Sequence, residues 1–314
     1  MSAALGRCPL ERGGALEACR LEYRIFGTLS RDRRNAVLLL TWFGGKVDDW
    51  LPLFGPAGMI DTTRFFAIAV HSLGTAPSSS PSVSTGQPGR LFPPIGIGDI
   101  IEAEYRLAHE VLALPELYAI VGISLGGVPS FGWGVSHPEY VRRIVAIGGT
   151  PRLSVYSRAM WELITRAADD GASGGLPRDS ALAVIARFVV LSPTTTAFVD
   201  RRAPSTSSDF LASQVRTARG IDINEWSIVA RATLSFDVAR NVGASLENAA
   251  ARWRARTLVV VAANDHLVSP RPALDFARSI RADTLVLPNA NGHQAIFGDS
   301  TEKAVVRRFL SPLQ

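Results

Sequence analysis

Three residues that could serve as a nucleophile, a base and an orienting acid occur along this chain: Ser124, Asp265 and His293. A serine hydroxyl is a weak nucleophile until a base accepts its proton, and a histidine base works best when a carboxylate holds its ring in one orientation. The interval between Asp265 and His293 leaves room for one helix and one strand. The order Ser, Asp, His therefore indicates nucleophilic catalysis by a serine.

Ser124 lies in the sequence Gly-Ile-Ser-Leu-Gly, which follows an apolar run and precedes a helical pattern. This is the G-x-S-x-G pattern in the strand–turn–helix context of a nucleophile elbow. The sharp turn leaves no space for side chains at Gly122 and Gly126, and the helix dipole behind it favours a developing negative charge. The alternative is a serine in an ordinary tight turn between a strand and a helix.

Asp265 and His293 each follow a short apolar run, at the expected end of a strand. Taken singly, each has another explanation, because Asp265 could cap the helix that begins near Pro270 and His293 could have only a packing role. Their order along the chain and their shared position after strands favour a catalytic pair.

The charge that develops on an attacked carbonyl oxygen is stabilised by two backbone N–H groups. One is expected from Leu125, directly after the nucleophile, and the other from the loop that follows an early strand. The sequence LLLTWFGGKVDDW over 38–50 provides such a loop, in which Gly44 and Gly45 let the backbone turn inward. Phe43 is the candidate donor, and a simple strand–turn connection is the alternative.

The remaining histidines are expected to be structural, except His71, whose role stays open because it follows an apolar run. The structural ones are His109, His137 and His266. The sequence contains no H-x-x-x-H, C-x-x-C or H-E-x-x-H spacing, no Walker loop and no G-x-G-x-x-G turn. We therefore expect neither a bound metal nor a bound cofactor.

Six short apolar runs rich in Val and Ile have the composition of strands that are buried on both faces of a parallel sheet. They cover 38–41, 65–70, 118–123, 144–147, 257–262 and 284–287. Helical patterns lie between several of them, over 100–112, 128–135 and 272–280. This alternation predicts an α/β fold with an open, mostly parallel, doubly wound sheet.

Two segments interrupt the alternation. The stretch 75–94 is rich in Pro, Ser and Gly, which predicts a long surface loop. The stretch 151–251 has helical periodicity without convincing strands, which predicts a helical lid over the carboxyl ends of the strands. The expected organisation is thus an N-terminal segment over 1–34 with the first, weakly patterned strands, and a core in two parts, 35–150 and 252–314, with the lid between them.

The composition is that of a soluble globular protein, since 47% of the 314 residues are hydrophobic and no apolar run reaches the ~20 residues of a membrane-spanning helix. The net charge of +5 comes from scattered arginine pairs, which argues against nucleic-acid binding. The N-terminal residues mix charges and glycines where a secretory signal would be apolar, so we expect a cytoplasmic protein. Two cysteines, Cys8 and Cys19, cannot staple a chain of this length, so we expect reduced thiols.

The stretch from about 37 to 298, which contains the three candidate catalytic residues, resembles the α/β-hydrolase superfamily. Within it, the stretch resembles the homoserine O-acetyltransferase group and its uncharacterised hydrolase-like relatives. The resemblance is carried by TAPSSSPSVSTGQP with FPPIGIGDIIEAEYRL, by ISLGGVPSFGWGVSHPEYVRRIVAIGG and by GIDINEWSIVARATLSFDVA. It implies the α/β-hydrolase fold, acyl transfer from acetyl-CoA to a hydroxyl through an acyl-serine, and a homodimer formed through the lid.

Two positions depart from the family pattern. The resemblance places an aspartate directly after the catalytic histidine, where it meets the substrate's amino group, but this chain has Gln294 there. A neutral amide lacks a charge-assisted bond worth ~1.5–3 kcal/mol, so we expect poor acetylation of homoserine. In the family, the oxyanion loop often begins with His-Ala-Leu. In this chain it begins with Thr41-Trp42-Phe43, a form that resembles the uncharacterised relatives. Arg166 matches the family's carboxylate-binding arginine loosely, and a solvated arginine is the alternative.

Three functions are compatible with these residues: a serine acyltransferase with an unidentified acceptor, an ester or thioester hydrolase with the same triad, and a non-catalytic binding protein. The two enzymes differ in how well the closed site excludes water, which the sequence does not reveal. A complete triad argues against the binding protein. The resemblance of the serine-rich loop and the lid favours, by a narrow margin, an acyltransferase acting on a small molecule.

Overall fold

The computed structural model describes residues 1–202, 222–243, 245–288, 291–297 and 300–311, together with positions 206, 208, 209, 212 and 216. Every expected site residue lies within these ranges. Part of the expected lid, chiefly 203–221, lies outside the described residues.

In the described part of the chain, eight strands form one sheet in the order β1-β2-β4-β3-β5-β6-β7-β8. The strands are Ser2–Pro9 (β1), Ala15–Phe26 (β2), Ala36–Leu40 (β3), Phe66–Val70 (β4), Ala119–Ile123 (β5), Arg143–Ile147 (β6), Arg256–Ala262 (β7) and Asp283–Leu287 (β8). β1 and β2 are antiparallel to their neighbours, whereas β3 to β8 run parallel. The positions of the six predicted strands and the mostly parallel sheet are confirmed. The expectation of burial on both faces is wrong for β8, which lies at the end of the described sheet and is exposed along most of its length.

Helices cover the sheet, and other helices form most of the described part of the segment that follows β6. They are Ile97–Arg106 (α1), Gly127–Ser136 (α2), Val155–Ser173 (α3), Arg178–Leu191 (α4), Thr196–Arg202 (α5), Ile223–Ser235 (α6), Leu246–Arg252 (α7), Pro270–Ser279 (α8) and Ser300–Leu310 (α9). The predicted helix over 100–112 corresponds to α1 and a π-helical turn that continues it to Val111. Among the described residues, no helix has the length and apolar character needed to cross a membrane.

Three clusters of buried hydrophobic side chains hold these layers together. The first two lie on opposite faces of the sheet, because alternate residues of each strand point to opposite sides: Leu38 and Leu40 join one cluster, Val37 and Leu39 the other. The third joins α3, α4 and α6, and we call it the helical cluster. Its buried members include Trp161, Ile164, Ile185 and Trp226.

The expectation of reduced thiols is wrong, because Cys8 of β1 and Cys19 of β2 form a disulfide. The two strands pair in antiparallel fashion and bring the two Cα atoms to 5.8 Å, a separation that a disulfide spans. Both residues are buried. Two cysteines cannot staple a chain of this length, but this bond joins only the local hairpin of β1 and β2.

Candidate active site

Ser124 directly follows β5 and has a positive φ of 55°, an unusual and strained conformation for a residue with a side chain. The two neighbouring glycines make this turn possible. A Cβ atom at Gly122 would collide with the carbonyl of Gly126 and the hydroxyl of Ser130, and one at Gly126 would collide with the carbonyl of Leu40. The tight turn predicted from the sequence is therefore present, with the serine at its apex.

A continuous hydrogen-bonded chain links Ser124, His293 and Asp265. The Ser124 Oγ atom lies 2.7 Å from His293 Nε2, and His293 Nδ1 lies 2.5 Å from Asp265 Oδ2. When Nδ1–H donates to the carboxylate, Nε2 is left to accept the serine proton. His293 is 2% exposed and Asp265 8%, so both are shielded from competing water.

The carboxylate of Asp265 is itself held in place. Its Oδ1 atom accepts hydrogen bonds from the backbone N–H groups of Leu267 at 2.9 Å and Val268 at 2.8 Å. These bonds fix the side chain with Oδ2 toward His293. The geometry is that of a carboxylate that orients an imidazole.

The sheet explains why residues so distant in sequence meet. Ser124 follows β5, Asp265 follows β7 and His293 follows β8, and these strands end at the same edge because they are parallel. Gly148, at the end of the intervening β6, has a φ of 61°, and a Cβ there would lie only 3.2 Å from His293 Cε1. The sequence reasoning missed this residue, although a Gly-Gly pair after a strand was a signal for it.

A cavity of about 520 Å³ opens at Ser124, within the range of small-molecule sites. Six aromatic side chains line it: Trp42, Phe43, Trp161, Phe188, Trp226 and Phe297. Its polar lining comes from hydroxyl and amide groups and from His293. No Asp, Glu, Lys or Arg is among the lining residues in the described part of the chain. The sequence reasoning missed most of these walls, because an aromatic residue has no local signal that distinguishes a cavity wall from a core.

Both expected oxyanion donors border this cavity with Ser124. Leu125 begins the turn into α2, where the first N–H groups of a helix have no acceptor within the helix. The backbone N–H of Phe43 has no hydrogen-bond partner among the described residues. Gln294 also lines the cavity, and its backbone N–H is bonded to the carbonyl of Pro193 at 3.2 Å.

Arg166 is not brought to the cavity. It lies exposed on α3, whereas Ile164 and Ala168 on the same helix are buried. Since residues two positions apart project to nearly opposite sides of a helix, burial of those two turns Arg166 outward. Arg166 is therefore not among the residues that this arrangement brings to the cavity, and its role in binding a substrate carboxylate stays a prediction.

The other histidines lie away from the cavity lining. His137 stacks on Tyr105 with ring centroids 4.0 Å apart, and His109 stacks on the same ring at 5.1 Å. His71 is half-buried at the end of β4, where burial lowers the pKa of its imidazole. In the ranges that the structure covers, no group of three or more candidate ligands could hold a metal ion.

Comparison with known families decides the fold family. The family model described as the alpha/beta hydrolase fold matches residues 35–300. The chain belongs to the alpha/beta hydrolase fold family. The resemblance inferred from the elbow and the order of the triad is thereby confirmed.

Three curated relatives show the range of chemistry around this chain. A probable esterase of Corynebacterium glutamicum is 33% identical over 181 residues, 55% of this chain, and the match spans only 51% of that relative. An ethyl acetate hydrolase of Pseudomonas veronii is 27% identical over 95% of this chain and 90% of its own length. A homoserine O-acetyltransferase of Thermobifida fusca is 28% identical over 95% of this chain and 89% of its own length.

A solved structure is similar to this chain over nearly its whole length. An acetylester hydrolase from Corynebacterium glutamicum superposes with a TM-score of 0.90 at 26% identity, covering 99% of this chain and 95% of that one. With the curated relatives, this similarity supports an enzyme of the alpha/beta hydrolase fold that performs acyl transfer or ester hydrolysis.

Proposed function

We propose that this protein is a carboxylic-ester hydrolase that cleaves esters of uncharged alcohols through an acyl-Ser124 intermediate. The uncharged lining of the cavity at Ser124, in the described part of the chain, carries the proposal. Burial of a charge without a partner is strongly unfavourable. A zwitterionic amino acid such as homoserine therefore fits the cavity poorly, whereas a neutral ester leaves no charge unpaired.

In the first half of the reaction, His293 Nε2 accepts the Ser124 hydroxyl proton while the Oγ atom attacks the ester carbonyl carbon. The negative charge on the carbonyl oxygen is stabilised by the backbone N–H groups of Phe43 and Leu125. The tetrahedral intermediate then collapses as the bond to the alcohol oxygen breaks. His293 gives its proton to the leaving alcohol, and the acyl group stays on Ser124.

In the second half, a water molecule gives one proton to His293 while its oxygen attacks the acyl carbon. The same two N–H groups stabilise the second tetrahedral intermediate. Ser124 leaves with the proton from His293, and the carboxylic acid is released. The Asp265 side chain, bonded to His293 Nδ1, stabilises the imidazolium that forms in each half.

The relatives support a short acyl group. The Pseudomonas veronii relative acts on ethyl acetate, and the structural relative from Corynebacterium glutamicum is an acetylester hydrolase. We therefore propose acetate esters as the first substrates to measure.

Acyl transfer to a neutral alcohol is the second candidate, and the six aromatic walls favour it because an apolar site disfavours water relative to an organic acceptor. Acetyl-CoA is the donor that the family resemblance implies. The two functions share the acyl-enzyme and differ in its fate. Mass spectrometry can follow acetyl-Ser124 formed from acetyl-CoA. Its decay in water is compared with its decay in the presence of alcohols and amines, and faster decay with an alcohol indicates acyl transfer.

The central test compares wild type and Ser124→Ala on ethyl acetate and butyl acetate, and on acetyl-CoA with L-homoserine. We expect the wild type to hydrolyse the esters and to acetylate homoserine little above background, and the variant to lose hydrolysis. Near wild-type turnover by Ser124→Ala would overturn the nucleophile. Efficient acetylation of homoserine by the wild type would overturn the substrate class.

A further inference from the structure

Trp42 and Phe43 are adjacent in the chain but pack into different hydrophobic clusters. Trp42 packs against the sheet cluster that contains Val37 and Leu39, and its ring centroid lies 5.2 Å from that of Phe297. Phe43 packs against the helical cluster, with its ring centroid 3.9 Å from that of Trp226. The peptide that joins the two residues carries the Phe43 N–H group. The side chains before and after this N–H group are thus anchored in two separate hydrophobic clusters, which together fix the candidate oxyanion donor.

The ring of Trp226 is a well-anchored surface. It is 7% exposed and lies in the first turn of α6, which Asp222 caps by accepting hydrogen bonds from the N–H groups of Asn224 and Glu225. The carboxylate of Glu225 accepts hydrogen bonds from the backbone of Ala76 at 3.2 Å and from the Ser82 hydroxyl. The start of α6 is therefore tied to the serine-rich loop as well as to the helical cluster.

The chain turns directly after Phe43, where the Gly45 N–H donates a hydrogen bond to the Trp42 carbonyl at 2.9 Å. Gly44 has a φ of 71°, and nothing lies within 4 Å of the place where its Cβ would be. Gly45 has no room for a side chain, because a Cβ would lie 2.9 Å from the Trp42 ring. Because Gly44 and Gly45 have no side chains, the Phe43 ring is the side chain by which this turn contacts the helical cluster.

We propose that Trp226 is a positioning residue for the oxyanion hole. By fixing the Phe43 ring, it holds the Phe43 N–H toward the carbonyl oxygen of an ester attacked by Ser124. The inference rests on the proposed function. An oxyanion donor must sit 2.7–3.1 Å from the oxygen, and loss of one donor lowers kcat by roughly 10²–10³-fold. A donor that is displaced but not removed is expected to cost ~10–100-fold in kcat.

The experiment compares Trp226→Leu and Trp226→Phe with the matched control Trp161→Leu. Trp161 belongs to the same cluster and lines the same cavity, but its ring contacts Phe188. We expect Trp226→Leu to lower kcat for butyl acetate ~10–100-fold with KM changed less than about 3-fold, and Trp226→Phe to recover most of kcat. Trp161→Leu should act mainly on KM.

A trifluoromethyl ketone gives the second readout, since its adduct with the serine mimics the tetrahedral intermediate. Its inhibition constant should rise in Trp226→Leu by about the same factor as kcat falls, and should rise in Trp161→Leu by no more than KM does. A purely structural role would not produce this correlation.

A third variant, Phe43→Ala, keeps the backbone N–H and removes the ring, so it tests the same contact even if a Trp226 variant fails to fold. It should reproduce the loss in kcat, and the double variant with Trp226→Leu should be no worse than either single variant, because both act through one contact. Equal effects of Trp226→Leu and Trp161→Leu, additive losses, or unchanged kcat in Phe43→Ala would overturn the inference. Activity that survives in Ser124→Ala would instead show that the proposed function has failed.

Discussion

The parallel sheet and the helices of residues 151–251 contribute differently to the same cavity. The sheet supplies the reacting groups, because Ser124, Asp265 and His293 all lie in loops that follow parallel strands. The helices supply walls such as Trp161 and Phe188. The candidate triad thus belongs to the sheet, and the helices mainly shape the cavity beside it.

The two regions also differ in how they are held. Strands such as β3 and β5 are buried along their whole length and bonded to neighbours on both sides. The helices α3, α4 and α6 pack mainly on one another and reach the sheet part through local contacts, such as the hydrogen bond from Ser269 N–H to the Ser157 hydroxyl at 2.9 Å. Substitutions in the helices should therefore reshape the cavity without moving the triad.

The largest expected effect comes from the sheet side. Asp265→Asn should lower kcat for butyl acetate by ~10⁴-fold, because the amide no longer holds His293 in the tautomer that accepts the serine proton. Steady-state kinetics on the folded variant measure this, with Asp275→Asn on the surface of α8 as the control. A nearly harmless Asp265→Asn, together with another essential carboxylate, would show that the acid is misassigned.

Gln294 tests whether one residue beside the triad also selects the substrate. Gln294→Asp places a carboxylate where a substrate ammonium would lie, and a charge-assisted bond of ~1.5–3 kcal/mol corresponds to roughly 10- to 150-fold in kcat/KM. We expect the ratio of kcat/KM for homoserine acetylation to that for ester hydrolysis to rise by a factor in this range. An unchanged ratio would place the determinant in the helices.

A substitution in the helical walls should have a smaller effect of a different kind. Phe188→Ala removes apolar surface that contacts a bound ester, so kcat/KM for butyl acetate should fall ~10-fold, mostly through KM. A series from ethyl to hexyl acetate would show the loss growing with alcohol length. A fall in kcat with KM unchanged would show that Phe188 does not act as a wall of the substrate site.

The smallest expected effect concerns stability. Glu104 of α1 is fully buried, accepts a hydrogen bond from Trp133 Nε1 at 2.8 Å, and has its pKa raised by burial to about 8. The unfolded chain ionises this group near 4.5 while the folded chain keeps the proton, so its contribution to stability falls as the pH rises from about 4.5 to about 8.

Glu104→Gln keeps an acceptor for Trp133 but cannot ionise. Its melting temperature relative to wild type should therefore increase between pH 5 and pH 8, which thermal unfolding at both values measures. Kinetics on butyl acetate provide the control, since Glu104 is absent from the cavity lining. A difference in melting temperature that does not change with pH would show that Glu104 is ionised in the folded protein.

Local sequence was sufficient for the strands, the elbow and the order of the candidate triad. Strands buried on both faces must be continuously apolar, and the turn at Ser124 admits only glycine at Gly122 and Gly126, so each leaves a mark within a few residues. The parallel topology then brings the loops after β5, β7 and β8 to one edge. Those inferences needed no knowledge of which side chains touch.

Contacts between distant residues were decided only by the tertiary structure. The disulfide between Cys8 and Cys19 depends on the pairing of β1 with β2, and the outward position of Arg166 depends on which face of α3 is buried. The uncharged cavity and the contact of Phe43 with Trp226 arise where the helical cluster meets the oxyanion loop. Periodicity shows that a helix has an apolar face, but what that face packs against is set by chain segments far away in the sequence, and this packing shapes the cavity at Ser124.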